Sequence, residues 1–115
     1  MNLKVEKFDN YTLIQVLAEK LDTNLAPVLK SELVLTAGKG EKNIILDMAK
    51  TEYCDSSGLS AILIANRLCK SAKGHFVLTG LQPAVERLVS ISQLDTVLNI
   101  TANVEESVEF IENRS

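Results

Sequence analysis

Residues 43–48, Asn-Ile-Ile-Leu-Asp-Met, are the segment that most restricts how this chain can fold. Two adjacent β-branched residues inside a mostly apolar run favour a strand that is covered on both faces. Such a strand lies in the middle of a sheet that has helices packed against it. The segment therefore predicts an α/β protein in which it is the central strand.

The rest of the chain supplies partners for this strand. Residues 3–8 and 11–17 flank the turn dipeptide Asp9-Asn10 and are rich in apolar residues, which predicts a β-hairpin. Helical spacing of apolar residues predicts four helices, and two further apolar runs predict strands. The predicted helices cover residues 24–37, 57–73, 83–92 and 103–113, and the predicted strands cover residues 75–80 and 97–100.

The predicted order is β-β-α-β-α-β-α-β-α. Strands separated by helices mostly return parallel, so this order predicts one mixed sheet of about five strands covered by about four helices. A chain of 115 residues with 46% hydrophobic residues is expected to form a single domain, residues 1–115, with a real core. No internal repeat or linker divides it.

Local signals also predict how the helices begin and end. Thr23 or Asn24 is expected to be the N-cap of the first helix, with Pro27 in its first turn. Gly74 is expected to cap the second helix at its carboxyl end. Asn103 with Glu106 three residues later is typical of a capping box at the start of the last helix.

Composition argues against several classes of partner. The net charge of −3, the absence of Trp and the lack of a basic run argue against nucleic acid. No apolar run approaches the roughly 18 residues of a membrane span, and the first residues alternate instead of forming a leader. We therefore expect a soluble, cytoplasmic protein without direct membrane insertion. Cys54 and Cys69 lack metal-ligand spacing and are expected to be reduced thiols.

The most informative motif is Tyr53-Cys54-Asp55-Ser56-Ser57-Gly58-Leu59-Ser60, which joins the central strand to the second helix. Asp and Ser favour helix starts because their side-chain oxygens accept hydrogen bonds from the first free N–H groups. Those N–H groups also attract anions such as phosphate. This junction is therefore the place where chemistry or binding is expected.

A helical wheel distinguishes the faces of the second helix. One face carries a stripe of core residues, namely Ala61, Ile62, Ala65, Leu68, Cys69 and Ala72. Leu59 and Leu63 fall outside that stripe, among polar residues. Ser56 projects to the same outward side, whereas Ser57 turns toward the core. We expect Leu59 and Leu63 to form a docking face beside an exposed Ser56.

Enzymatic and metal-binding interpretations are weak. A serine hydrolase would need Ser56 as nucleophile and the single His75 as base, but the first Gly of a G-x-S-x-G elbow is replaced by Cys54. Asp22, Asp47 and Asp55 have no metal-ligand spacing, and each has a local explanation as a turn, strand-end or cap residue. No glycine-rich phosphate loop is present. We expect a protein that is not an enzyme and that needs no metal or cofactor.

Two interpretations of Asp55-Ser56-Ser57-Gly58 remain open at this point. In the first, Asp55 is an ordinary N-cap and the small residues let the helix pack closely on the strand. In the second, Ser56 accepts a phosphoryl group, whose charge of roughly −1.5 to −2 would repel Asp55 and anything apolar docked nearby. The second interpretation makes Ser56 a switch.

The sequence resembles a known family, the STAS domains of the anti-sigma factor antagonist type. The resemblance covers nearly the whole chain. It rests on residues 44–48 followed by the motif 51–63 with its Asp-Ser-Ser-Gly-Leu core, on Leu21-Asp22-Thr23-Asn24, and on residues 81–88, Leu-Gln-Pro-Ala-Val-Glu-Arg-Leu. The resemblance implies a single STAS-like α/β domain.

The resemblance also implies a mechanism of partner switching. The unphosphorylated protein would bind an anti-sigma factor that has serine kinase activity, phosphorylation of Ser56 would end that binding, and a PP2C-type phosphatase would restore it. The implied partner surface comprises Asp22, Thr23, Asn24 and the segment from Asp55 through Ser57 and Gly58 to Leu59. Cys54 stands where the family often has a larger apolar residue, and Glu52 adds an acid before the motif. Related STAS proteins are instead regulatory subunits, for example of lipid-transport ABC systems, and this is the alternative function.

Overall fold

The computed structural model describes residues 2–114. Within that range, five strands form a mixed sheet in the order β1-β2-β4-β6-β7, and two shorter strands, β3 and β5, pair separately. The strands are β1 (Leu3–Lys7), β2 (Thr12–Val16), β3 (Lys20–Leu21), β4 (Ile44–Asp47), β5 (Tyr53–Cys54), β6 (Phe76–Thr79) and β7 (Asn99–Thr101). The helices are α1 (Ala26–Gly38), α2 (Ser56–Ser71), α3 (Pro83–Ile91) and α4 (Val104–Glu112), with a 3₁₀ turn at Leu94–Thr96.

Strand directions follow the connections between the strands. β1 and β2 are antiparallel because a tight turn joins them, whereas β2, β4, β6 and β7 are mutually parallel because a helix lies in each connection from one of them to the next. The predicted hairpin, the mixed sheet and the order of helices are thus confirmed. The last strand lies at Asn99–Thr101 instead of residues 97–100.

The core lies on both faces of the sheet because successive residues of a strand point to opposite sides. Ile44 and Leu46 of β4 face the larger hydrophobic cluster, which α1, α2 and α3 cover. Ile45 between them faces a smaller cluster that α4 closes with Ile111. The central strand is fully buried, which confirms the prediction from residues 43–48.

The helix ends differ from the sequence prediction at two places. Neither Thr23 nor Asn24 caps α1, which begins at Ala26 after Leu25, and the Asp22 side chain accepts hydrogen bonds from the Asn24 and Leu25 N–H groups instead. At the end of α2, Lys73 and not Gly74 adopts the left-handed conformation, with φ +62°. At the start of α4, Asn103 does cap the helix, by accepting from the Glu106 N–H group.

Gly74 is needed for space and not for its backbone conformation. A Cβ atom at this position would lie 1.9 Å from the Lys42 carbonyl oxygen. The Gly74 N–H group donates to the Cys69 carbonyl oxygen and Lys73 N–H donates to Lys70, which is the hydrogen-bond pattern of a Schellman motif. The chain can therefore leave α2 directly alongside the segment that enters β4.

A candidate partner-binding site at two adjacent turns

The candidate site is built where β3 and β5 end side by side. These two-residue strands are parallel and pair Leu21 with Cys54, so the turns that follow them meet at one edge. The first turn contains Asp22, Thr23 and Asn24, and the second begins with Asp55 and Ser56. The Asp55 N–H group donates to the Leu21 carbonyl oxygen at 3.3 Å, which joins the two turns directly.

Asp55 is the N-cap of α2 and organises the start of the helix. Its Oδ1 atom accepts hydrogen bonds from the Ser57 hydroxyl at 2.5 Å, from Ser57 N–H at 3.0 Å and from Gly58 N–H at 3.1 Å. A hydrogen bond from the Thr23 backbone N–H group also stabilises the ionised form of the Asp55 side chain. Asp55 therefore ties α2 to the Asp22–Asn24 turn as well as capping the helix.

The two serines of the motif have different environments. The Ser57 hydroxyl is half-buried and donates to Asp55. The Ser56 side chain is exposed, and its hydroxyl has no hydrogen-bond partner among residues 2–114. The predicted placement of Ser56 outward and of Ser57 toward the core is thus confirmed, and Ser56 is the accessible hydroxyl at the helix start.

Gly58 lets α2 approach the β3–β5 pair closely. A Cβ atom at position 58 would lie 2.5 Å from the Cys54 Sγ atom and 2.7 Å from the Leu21 carbonyl oxygen. Both distances are shorter than van der Waals contact allows. The small residue therefore sets the distance between the start of α2 and the Asp22–Asn24 turn.

Leu59 was predicted to face outward, and this is wrong. Its side chain is 8% exposed and belongs to the main core with Leu25 and Leu29 of α1. Leu63 is half-buried, and Asn66, which the wheel also placed outside, is buried. The reason is that α1 packs against α2 on this side, so α2 has two covered faces and not one.

The side chains of the Asp22–Asn24 turn are available for contact. Thr23 and Asn24 are exposed, and neither side chain forms a hydrogen bond with another residue of the described chain. Tyr53, which was not predicted to contact a partner, is 50% exposed immediately before the Cys54-Asp55-Ser56 segment. Its only signal in the sequence is an aromatic residue at the start of the motif, and exposed Tyr side chains are common anchors in interfaces.

The Cys54 thiol, which lies beneath the site, is unreactive at neutral pH. Burial, with a smaller contribution from the Asp55 charge, raises the pKa of Cys54 to about 12. Burial likewise raises the pKa of Cys69 to about 12. Because the thiolate is the reactive form, both cysteines are unreactive at neutral pH, and both are free thiols packed in the main core, as expected from the sequence.

The serine hydrolase arrangement is not assembled. His75 precedes the first residue of β6 and its N–H group donates to the Asn43 side chain, whereas Ser56 lies beyond the opposite ends of the parallel strands. The His75 ring contacts Phe110 of α4, on the other side of the sheet from α2. Residues 2–114 also contain no group of three His, Cys, Asp or Glu side chains placed to hold a metal ion.

Asp55 makes a testable contribution to pH dependence. The Ser57 hydroxyl hydrogen bond, followed by that of Gly58 N–H, lowers the pKa of Asp55 below its ordinary value of 3.8. A carboxyl whose pKa is lowered on folding stabilises the native state above its unfolded pKa, and this contribution is lost as pH falls through the folded pKa. The free energy of unfolding, measured in urea, should therefore fall more between about pH 5 and pH 3 for the wild type than for Asp55→Asn.

Asp55→Ser is a useful companion to this measurement, since Ser also caps helices but carries no titrating carboxyl. Both variants should show the same shallower acid dependence. An Asp55→Asn protein that loses as much stability on acidification as the wild type would show that this carboxylate is not held as described.

None of the helices in the described chain is long and apolar enough to cross a membrane.

Residues 2–107 match the STAS domain family. The chain is 31% identical over 110 residues to the anti-sigma-B factor antagonist of Bacillus subtilis, covering 95% of this chain and all of that protein.

Solved structures agree on the fold. An anti-sigma factor antagonist from Mycobacterium paratuberculosis matches with a TM-score of 0.86 at 18% identity, covering 96% of this chain and 92% of that one. The anti-sigma factor antagonist SpoIIAA matches in its unphosphorylated form with a TM-score of 0.75, over 96% of this chain and 97% of that one. Its phosphorylated form matches with a TM-score of 0.73, over 95% and 98%, and both forms are 18% identical to this chain. The family match and the Bacillus relative together show that this chain belongs to the STAS domain family, among the anti-sigma factor antagonists.

Proposed function

We propose that this chain forms a single STAS domain that binds an anti-sigma factor when Ser56 is unmodified. Phosphorylation of Ser56 releases the chain from the anti-sigma factor. The observation that carries the proposal is the exposed Ser56 hydroxyl, which has no hydrogen-bond partner among residues 2–114 and lies at the first position of α2, next to the Asp22–Asn24 turn. The proposal is also supported by the existence of SpoIIAA, a protein of the same fold, in a phosphorylated form.

The chemistry requires only that Ser56 reach a kinase. The Ser56 oxygen would attack the γ-phosphorus of ATP bound to the kinase, the hydroxyl would lose its proton, and ADP would leave. The family resemblance implies that the kinase is the anti-sigma factor itself and that a PP2C-type phosphatase hydrolyses the phosphoserine. Ser57 is a poorer acceptor because its hydroxyl already donates to Asp55.

The position of the phosphate explains how it would end binding. Phosphate at a helix start is often stabilised by backbone N–H groups. Here the Ser57 and Gly58 N–H groups already donate to Asp55, so a phosphate on Ser56 would find those donors occupied and a carboxylate beside it. Its charge would remain directed outward, where a docked partner must desolvate it.

A phosphotransfer assay tests this function. Incubation with ATP and the anti-sigma factor encoded beside this chain should add one phosphate, visible by intact-mass measurement. Ser56→Ala should accept none, and Ser57→Ala should still accept one because it leaves the Ser56 hydroxyl in place. A phosphate that persists in Ser56→Ala, or that is lost in Ser57→Ala alone, would assign the modification to another residue.

A further inference from the structure

A groove lies between the edge strand β1 and the amino-terminal half of α1, next to the candidate site. We call it the β1–α1 groove; its volume is about 710 Å³. Five of its lining residues are apolar, and the other five, which we call its rim, are polar or charged. The apolar residues are Leu3, Val5, Ala18, Leu25 and Val28, and the polar ones are Asn2, Lys20, Asp22, Asn24 and Glu32.

The groove exists because α1 does not extend over the edge of the sheet. Val5 of β1 is 40% exposed, whereas Ile14, its partner in register on β2, is fully buried. Val28 in the first turn of α1 is 54% exposed. Folding therefore leaves apolar side chains from a strand and from a helix facing the same open space.

The rim carries charged side chains that form no ion pair within the described part of the chain. Glu32 is four residues after Val28 on α1, so these two side chains share a helix face, and Asp22 lies in the turn before the helix. Lys20 is the one base among the described residues that line the groove. Among residues 2–114, neither Asp22 nor Glu32 has a basic group within ion-pair distance. The groove is thus apolar inside and acidic by one charge at its rim.

We propose that the β1–α1 groove receives an apolar segment of the anti-sigma factor that carries a basic side chain, and this inference rests on the proposed function. Asp22 and Asn24 line both the groove and the turn beside Ser56, so one partner can cover both surfaces. The apolar part of its segment covers Val5 and Val28, and its basic side chain lies between the Asp22 and Glu32 carboxylates.

This arrangement gives the two surfaces different tasks. The region around Ser56 responds to phosphorylation, because added charge there must be desolvated on binding. The described residues that line the groove include no Ser, Thr or Tyr, so it contributes apolar contact and charge complementarity that do not depend on the switch. It therefore determines which anti-sigma factor is bound.

Val28 and Val34 provide a matched pair of variants for this proposal. Both are valines on α1, with 54% and 56% exposure, but only Val28 lines the groove. Isothermal titration with the anti-sigma factor encoded beside this chain should show about tenfold weaker binding for Val28→Gln, from the loss of a buried valine contact. Val34→Gln should bind within about twofold of the wild type. Equal affinities for the two variants would overturn the groove as a binding surface.

The charge on the rim has its own comparison. Glu32→Lys should weaken binding about tenfold at low salt and less at high salt, since it places a base against the partner's base. Glu109→Lys, on α4 across the sheet, makes the same charge change at an exposed position and should have no effect beyond about twofold. Tighter binding by Glu32→Lys would show that the occupant of the groove is acidic and would overturn the proposal.

Ser56→Asp in the same titration separates this inference from the proposed function. If Ser56→Asp binds like the wild type, the switch fails, and the Val28 and Val34 comparison still decides the groove. If the unmodified chain does not bind the anti-sigma factor, both are overturned. A free chain that sediments as a dimer, and becomes a monomer only in Val28→Gln, would assign the groove to a second copy of the chain instead.

Discussion

Ser56→Asp is expected to weaken binding of the anti-sigma factor by at least roughly a hundredfold, while Ser56→Ala stays within about threefold of the wild type. The hydroxyl is exposed and has no hydrogen-bond partner in the described part of the chain, so its removal costs little in the free protein. An added carboxylate would stand beside Asp55 and near Asp22, and burying such unpaired like charges at an interface costs several kcal/mol. Titration calorimetry measures both affinities.

Ser71→Asp is the control for this experiment. Ser71 is an exposed serine on the same helix, and at about 1.5 Å per residue it lies roughly 22 Å from Ser56. The same charge placed there should leave binding unchanged. If Ser56→Asp binds as well as the wild type, the alternative function is favoured, in which the chain is a regulatory subunit whose contacts do not depend on Ser56. The chain should then copurify with an ATPase subunit of a larger assembly.

Gly58→Ala is expected to destabilise the protein by roughly 2 kcal/mol, which for a chain of this size lowers the melting temperature by about 8 °C. The methyl group would lie 2.5 Å from Cys54 Sγ and 2.7 Å from the Leu21 carbonyl oxygen, both fixed in the β3–β5 pair. The gain in helix propensity offsets only about 1 kcal/mol of that strain. Differential scanning calorimetry measures the change.

Gly38→Ala is the matched control, because Gly38 is also a helical glycine and a Cβ atom there would have no neighbour within 4 Å. It should raise stability by about 0.5 kcal/mol. Gly58→Ala should also weaken partner binding, since relief of the overlap moves α2 away from the Asp22–Asn24 turn. Equal melting temperatures for Gly58→Ala and the wild type would show that the contact between α2 and β3–β5 is looser than the structure has it.

Residues 43–48 illustrate why the main sheet was predictable. Ile44, Ile45 and Leu46 are all buried, which is the pattern of a strand covered on both faces and is visible without any neighbour. The turn dipeptide Asp9-Asn10 and the capping box at Asn103 depend on chemistry within a few residues. Signals of this kind act locally, and the structure confirms them.

The β3–β5 pair was not predictable in the same way. Lys20 and Leu21, or Tyr53 and Cys54, are too short a run to show any periodicity, and they pair only because the chain brings two distant segments together. The burial of Leu59 has the same cause. A helical wheel reports the faces of one helix, and only the packing of α1 against α2 decides that a second face is covered.

The Asp55-Ser56-Ser57-Gly58 segment shows the division between sequence and tertiary structure most clearly. The sequence by itself determined that Asp55 caps α2 and that Ser56 points outward from Ser57, because capping and helical phase are properties of adjacent residues. Only the tertiary structure decided that Asp22–Asn24 lies beside Ser56, that Gly58 must be small and that Leu59 is core. Those features depend on the pairing of β3 with β5 and on contacts of α2 with Leu21 and α1, which join distant parts of the chain and which the local pattern of a sequence does not record.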